Sequence, residues 1–100
     1  MKLQVSSLKF DADVKLLDVV EKKTNKLDTY FDQIIDGEVK MKLDKSEDKS
    51  NKMVEIQINV PGSTFFAKEQ AHSFEAATDE AVEALRRQLR KHKGKLTEKR

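Results

Sequence analysis

The stretch that decides the fold is KMVEIQINVPGSTFFAKEQA, residues 52–71. Every second residue in 54–60 is apolar, which predicts a strand with one buried face. Pro61-Gly62 then predicts a turn, and a further strand follows it. The second strand should place Phe65 and Ala67 on one face and Phe66 and Lys68 on the other.

Two more strands are predicted before this stretch. Residues 35–43 alternate in the same way, with Gly37 in an apolar position, where it is a candidate β-bulge. Residues 2–6 form a short first strand. Between the strands, residues 44–51 contain no apolar side chain and predict a mobile hairpin loop.

Two helices complete the pattern. Asp11 or Asp13 can cap a helix over about residues 13–31, and Ser73 can cap a second one that begins at Phe74. Gly94 should begin a frayed, basic tail. The apolar stripes of the two helices are Leu17, Val20, Thr24, Leu27 and Phe31, and then Ala77, Ala81, Leu85 and Leu89.

The resulting order is β-α-β-β-β-α. Because each strand has one buried face, both helices should pack on the same side of the sheet. The prediction is an α+β two-layer sandwich with a four-stranded sheet, in a single domain over residues 1–100.

Composition argues against an enzyme. The chain has no cysteine, two isolated histidines (His72 and His92) and three glycines that form no phosphate-binding loop. We therefore expect no catalytic residue, metal, cofactor or small-molecule substrate. With no signal peptide and no apolar run long enough to cross a membrane, we expect a cytoplasmic protein without a membrane partner.

The charge is unevenly distributed. The net charge is only +2, but residues 86–100 carry eight of the 20 basic residues and one of the 18 acidic ones. This asymmetry indicates a polyanionic partner, and the alternative is a solvated tail.

Helical projections refine this prediction. In the first helix Lys15, Lys22, Lys23 and Lys26 fall on one edge and acidic residues, including Asp18, Glu21, Asp28 and Asp32, on the other, where ordinary ion-paired surfaces would mix them. In the second helix Arg86, Arg90 and Lys93 share one face and Arg87 and Lys91 the next. Compensation of the helix dipole needs fewer cations than these five.

Phe66, a lone aromatic outside the core, could stack a base, but burial against the loop or a partner chain is the favoured interpretation.

Three segments resemble the short form of the ribosome hibernation-promoting factor family, also called the ribosome-associated inhibitor A or sigma-54 modulation family. They are KLDTYFD at 26–32, AATD at 76–79 and RQLRKHK at 87–93. The resemblance implies a fold related in shape to double-stranded-RNA-binding domains. It also implies binding to the decoding region of the small ribosomal subunit, over the mRNA and tRNA sites, in stationary phase or starvation.

Carried over by position, the resemblance implies that Lys23, Lys26, Arg87, Lys91 and Lys93 contact ribosomal RNA. Lys22, Arg86 and Arg90 rest on the helical projection alone. A short form lacks the C-terminal dimerisation domain, so we expect a monomer when free. Two alternatives stay open: a domain for other structured RNA, and a protein-interaction module that uses the acidic edge of the first helix.

Overall fold

The computed structural model describes residues 1–44 and 50–98, with the side chains of the last helix described as far as Gly94. The predicted order β-α-β-β-β-α is confirmed, with one short 3-10 helix added after the first helix. The elements are β1 (Lys2–Leu8), α1 (Val14–Asn25), the 3-10 helix (Lys26–Thr29), β2 (Asp36–Leu43), β3 (Lys52–Val60), β4 (Ser63–Ala71) and α2 (Phe74–Glu98).

Within the described residues the strands form one sheet in the order β1-β2-β3-β4. β1 pairs in parallel with β2, and α1 makes the crossover between them. β2, β3 and β4 form an antiparallel meander. The β3–β4 turn is the predicted Pro61-Gly62, and Gly62 has a φ of +80°, as the third position of a type II turn requires.

The core lies between the sheet and the two helices, so the predicted two-layer α+β sandwich is confirmed. Val39, Met41, Ile56 and Ile58 are fully buried from the sheet side, and Leu85 is fully buried from α2. The other predicted inner residues of α2, which are Ala77, Ala81 and Leu89, are buried as well. Because both helices cover one face, the opposite face of the sheet is open.

The helices run in the same direction, side by side. Phe10, just before α1, stacks on Phe74 at the start of α2 with ring centroids 5.1 Å apart. Further along, Lys23 contacts Asp79. This direction brings the end of α1 and the 3-10 helix alongside the basic half of α2.

The prediction of one helix over residues 13–31 is wrong at its end. Asp13 caps α1, accepting a bond from the Leu16 N–H at 2.8 Å, but the α-helix ends at Asn25. Asn25 and Lys26 have ψ values of −16° and −21°, which tighten the next turn into a 3-10 helix. The buried Thr24 hydroxyl donates to the Val20 carbonyl oxygen at 2.8 Å, a bond that competes with regular helix geometry.

The predicted bulge at Gly37 is also wrong. The pairing of β2 with β1 and β3 runs through Gly37 without interruption. A Cβ atom at this position would lie 3.1 Å from Leu3 Cδ1 and 3.2 Å from Ile58 Cγ2. The apolar slot holds glycine because its neighbours fill the space that a side chain would need.

The ends of α2 differ in how well they were predicted. Ser73 caps the helix as expected, its Oγ accepting from the Ala76 N–H at 3.0 Å. Gly94 does not end it, because α2 continues to Glu98. The predicted loop at 44–51 falls largely on residues 45–49, which lie outside the described residues.

Candidate nucleic-acid interface

The basic half of α2 presents two flanks. The first borders a hollow of about 320 Å³ between α2 and the 3-10 helix. It is lined by Thr29, Tyr30, Arg86, Arg90 and Lys93. The three cations recur at i, i+4 and i+7, so they form a stripe about 10 Å long on one helix face. We call this the tyrosine flank.

The second flank faces β4. Its hollow, of about 290 Å³, is lined by Ser63, Phe65, Gln88, Lys91 and His92. We call it the strand flank. Arg87 lies nearer the first half of α2, in a separate hollow with Glu69, Asp79, Glu80 and Glu83. The predicted cations of α2 therefore divide between two sides of the helix.

Arg86 is held in a fixed pose. Its Nε and Nη2 atoms donate to the two carboxylate oxygens of Glu83 at 3.1 and 2.7 Å. Its Cζ lies over the Tyr30 ring, 5.6 Å from the ring centroid. This combination of a bidentate ion pair and a cation–π contact fixes the plane of the guanidinium group.

The ion pair between Arg86 and Glu83 shifts the pKa of both groups. The hydrogen bonds from Arg86, with its charge and that of Arg87, lower the pKa of Glu83 below its usual 4.5. The hydrogen bonds to Glu83 raise the pKa of Arg86. Arg87 lies 3.5 Å from the same carboxylate, so Glu83 is shared by two of the predicted RNA-binding arginines.

Lys23 points to α2. Its Nζ lies 2.8 Å from Asp79 Oδ1, and its side chain is only 26% exposed. Lys23 therefore ties α1 to α2 in this structure. The sequence predicted that Lys23 lies at an RNA-facing edge, and its ion pair with Asp79 was not predicted.

The predicted basic and acidic edges of the first helix meet at one ion pair, because Lys22 lies 3.1 Å from Asp18 one turn earlier. The helix also ends before Lys26 and Asp28, and Asp28 instead accepts from the α-amino group of Met1 at 3.0 Å. A helical projection continued beyond Asn25 could not show this.

Three of the eight predicted cations are exposed and make no ion pair within residues 1–44 and 50–94. They are Lys26, Arg90 and Lys91. Arg90 and Lys91 are neighbours in the chain but belong to opposite flanks. Available positive charge therefore remains on both sides of α2.

Two residues of the tyrosine flank were missed from sequence. Tyr30 is 46% exposed, and Thr29 donates its hydroxyl to the Lys26 carbonyl oxygen at 2.7 Å. The signal for Tyr30 was its place beside the buried Phe31 in KLDTYFD. Tyr30 is exposed and its neighbour Phe31 is buried, so the two rings face in different directions.

Phe66 lies on the open face of the sheet and is 49% exposed. It borders a small hollow with Glu38, Lys40, Glu55 and Gln57. The favoured interpretation, burial against the loop or a partner chain, stays a prediction, because most of that loop lies outside the described residues. The mixed charges around Phe66 give this face no preference for a polyanion.

Neither a metal centre nor a membrane span is seen in the described part of the chain. No group of three or more His, Asp or Glu residues there could hold a metal ion. No helix among those residues is both long and apolar enough to cross a membrane.

The described residues thus form a small two-layer α+β sandwich with exposed cations along its last helix. The chain belongs to the Sigma 54 modulation protein / S30EA ribosomal protein family, whose model matches residues 3–97. A "Ribosome hibernation promotion factor" from Deinococcus radiodurans is 37% identical over 91 residues, which are 90% of this chain and 48% of that protein. A "Ribosome hibernation promoting factor" from Pseudomonas putida is 32% identical over 95 residues, 95% of this chain and 89% of that protein. The chain thus spans about half the length of the Deinococcus relative.

Solved structures agree with the fold. The N-terminal domain of Thermus thermophilus Protein Y superposes with a TM-score of 0.78 at 27% identity, over 92% of this chain and 99% of that one. A ribosomal subunit interface protein from Coxiella burnetii superposes with a TM-score of 0.81 at 24% identity, over 94% and 99%.

Proposed function

We propose that this protein binds ribosomal RNA of the small subunit, in the decoding region, and blocks translation by occupying the mRNA and tRNA sites. Membership of the Sigma 54 modulation / S30EA family supports this proposal, as do relatives named for ribosome hibernation. A ribosomal partner would place the protein in the cytoplasm, where a starved or stationary cell would use it to idle its ribosomes.

The observation that carries the proposal is the composition of the end of α2. Residues 84–97 contain no acidic residue and six basic ones. Leu89 is the last buried side chain of the described part of α2, and the helix continues to Glu98. A positively charged helix end that extends beyond the hydrophobic core can lie between two RNA backbones.

Inhibition would follow from occupancy alone. The phosphates would bind mainly through the exposed Lys26, Arg90 and Lys91, with counterion release as the main source of affinity. The other predicted cations would add positive charge beside them; these are Lys22, Lys23, Arg86, Arg87 and Lys93. No bond is made or broken, so one protein would silence one subunit for as long as it stays bound. The protein would act as a monomer with no cofactor.

The test is co-sedimentation of the protein with purified small subunits at several salt concentrations. Binding should weaken steeply as salt rises, and initiator tRNA with mRNA should compete with the protein. Arg90→Gln with Lys91→Gln removes two exposed charges that have no described ion-pair partner. This double variant should bind more weakly, with a salt slope shallower by about two units.

The matched control removes two acidic charges from the other predicted surface. Glu21→Gln with Asp32→Asn changes exposed residues that pair with no described cation. It should bind as well as the unmodified protein or slightly better. Loss of binding in this control, with binding kept in the basic variant, would replace the RNA proposal with a protein partner. Equal binding to unrelated structured RNA would remove the specificity for the ribosome.

A further inference from the structure

The tyrosine flank differs in chemistry from two other hollows on the described surface, and it has more cations than the strand flank. A hollow of about 340 Å³ on the open sheet face is lined by both cations and carboxylates, including Lys2, Asp36 and Glu38. A hollow of about 360 Å³ beside the first half of α2 is mostly acidic. The tyrosine flank has three cations, one aromatic ring and no carboxylate among its lining residues.

Arg86 and Tyr30 form a pre-built stacking platform within this hollow. The Arg86 side chain is 31% exposed, yet both of its bonds to Glu83 hold it in one orientation over the ring. Guanidinium planes and aromatic rings are the surfaces on which unpaired bases stack in RNA complexes. A platform fixed before binding loses little side-chain entropy when a base arrives.

Arg90 and Lys93, the two remaining cations of the tyrosine flank, lie close enough to Arg86 to reach the phosphate of a base stacked there. Arg90 is one turn beyond Arg86, about 6 Å along the helix axis, and Lys93 follows about 4.5 Å further. Both side chains are exposed, and the Arg90 guanidinium is not tied to any described carboxylate. A group stacked at Arg86 would therefore have its phosphate within reach of both.

We propose that the tyrosine flank binds one nucleotide unit, with the base stacked on the Arg86–Tyr30 pair and the phosphate held by Arg90 and Lys93. The inference rests on the RNA-binding part of the proposed function and makes it more specific. It assigns the tyrosine flank to an unpaired nucleotide. A surface that was only charged would bind any phosphate backbone. Glu83 is then a positioning residue that acts through Arg86.

The sequence supplies a reporter for this site. Tyr30 is the single tyrosine of the chain, and there is no tryptophan, so intrinsic emission comes from the site itself. A short single-stranded oligouridylate should quench this emission, and inorganic phosphate at the same ionic strength should not. A parallel titration with ATP separates an RNA chain from a free nucleotide as the ligand. If the site binds RNA, oligouridylate should quench the Tyr30 emission at a lower concentration than ATP does. If the site binds a free nucleotide, the two probes should quench at the same concentration.

Variants separate stacking from charge. Arg90→Gln should weaken oligouridylate binding about tenfold, as expected for loss of one charge-assisted hydrogen bond. Lys68→Gln, which removes one exposed charge on the open sheet face, is the matched control and should leave binding unchanged. Glu83→Gln makes the protein more positive, so a purely electrostatic surface would bind more tightly. Release of Arg86 from its clamp should instead weaken binding about threefold.

The inference is overturned if neither nucleotide probe quenches Tyr30, if inorganic phosphate quenches equally, or if Glu83→Gln tightens binding. Co-sedimentation with small subunits is a separate measurement. A protein that co-sediments without quenching keeps the proposed function and loses this site. One that shows quenching by oligouridylate without co-sedimentation keeps the site and loses the ribosomal partner.

Discussion

The ion pair between Lys23 and Asp79 links the two helices, and its energy can be predicted from its surroundings. The two charged atoms are 2.8 Å apart, with the Lys23 side chain 26% exposed and that of Asp79 60% exposed. Fully exposed pairs contribute about 0.2–1 kcal/mol. The partial burial of Lys23 places this pair near the upper end of that range.

A double-mutant cycle isolates that energy. Lys23→Gln, Asp79→Asn and the double variant should give a coupling of about 0.5–1 kcal/mol in urea unfolding. For a domain of this size 1 kcal/mol corresponds to roughly 4–8 °C in Tm. The exposed pair of Lys22 with Asp18 is the internal comparison and should give about 0.3–0.5 kcal/mol.

A coupling for Lys23 with Asp79 no larger than that of the exposed pair would refute the structural role. If the role is correct, Lys23→Gln should also lower small-subunit affinity less than Arg90→Gln does, because Lys23 is already neutralised within the protein. The reverse order of affinities would show that Lys23 leaves Asp79 to contact RNA.

Three further changes test the fold and the clamp. Leu85→Ala removes a fully buried side chain and should cost about 2–5 kcal/mol in denaturant unfolding, so an unchanged midpoint would contradict its place in the core. Gly37→Val should cost about 1–3 kcal/mol by overpacking against Leu3 and Ile58, so an unchanged midpoint would contradict this close packing. Because the pKa of Glu83 is lowered, its bond to Arg86 stabilises the fold above pH 4.5, and this stabilisation is lost as the pH falls below that value. In the Arg86→Gln variant, the pKa of Glu83 measured by NMR should rise.

The strands and the core were predictable because alternation is a local property. A residue such as Ile56 shows its burial through its immediate neighbours in sequence. The end of α1 was not predictable in this way, because Thr24, Leu27 and Phe31 are buried whether the backbone is α-helical or 3-10. Gly37 was misread because an apolar slot filled by glycine has the same sequence pattern for a bulge and for close packing.

For the candidate site, the sequence shows which basic residues share a helix face but not which residues lie opposite them. A helical projection showed that Arg86, Arg90 and Lys93 share a face, but not what that face would meet. Only the position of the 3-10 helix places Tyr30 beside Arg86. The partners of Lys23 and Arg86 are the α2 carboxylates Asp79 and Glu83, and neither ion pair was predicted from the sequence.

A comparison of Arg90 with Lys91 tests whether RNA contacts one flank of α2 or both. Arg90 and Lys91 are adjacent, equally charged and exposed, and each lacks an ion pair in the described part of the chain, so Arg90→Gln and Lys91→Gln are closely matched single changes. A helix end that enters a groove should be contacted from both sides, because the helix is only about 10–12 Å across with its side chains. Each variant should therefore make the salt slope of small-subunit binding shallower by about one unit, with stability changed by less than about 0.5 kcal/mol. If Lys91→Gln alone leaves the slope unchanged, the RNA lies against the tyrosine flank only and the helix end rests on its surface. If Arg90→Gln alone does so, the tyrosine flank faces away from the backbone and the contact runs along β4.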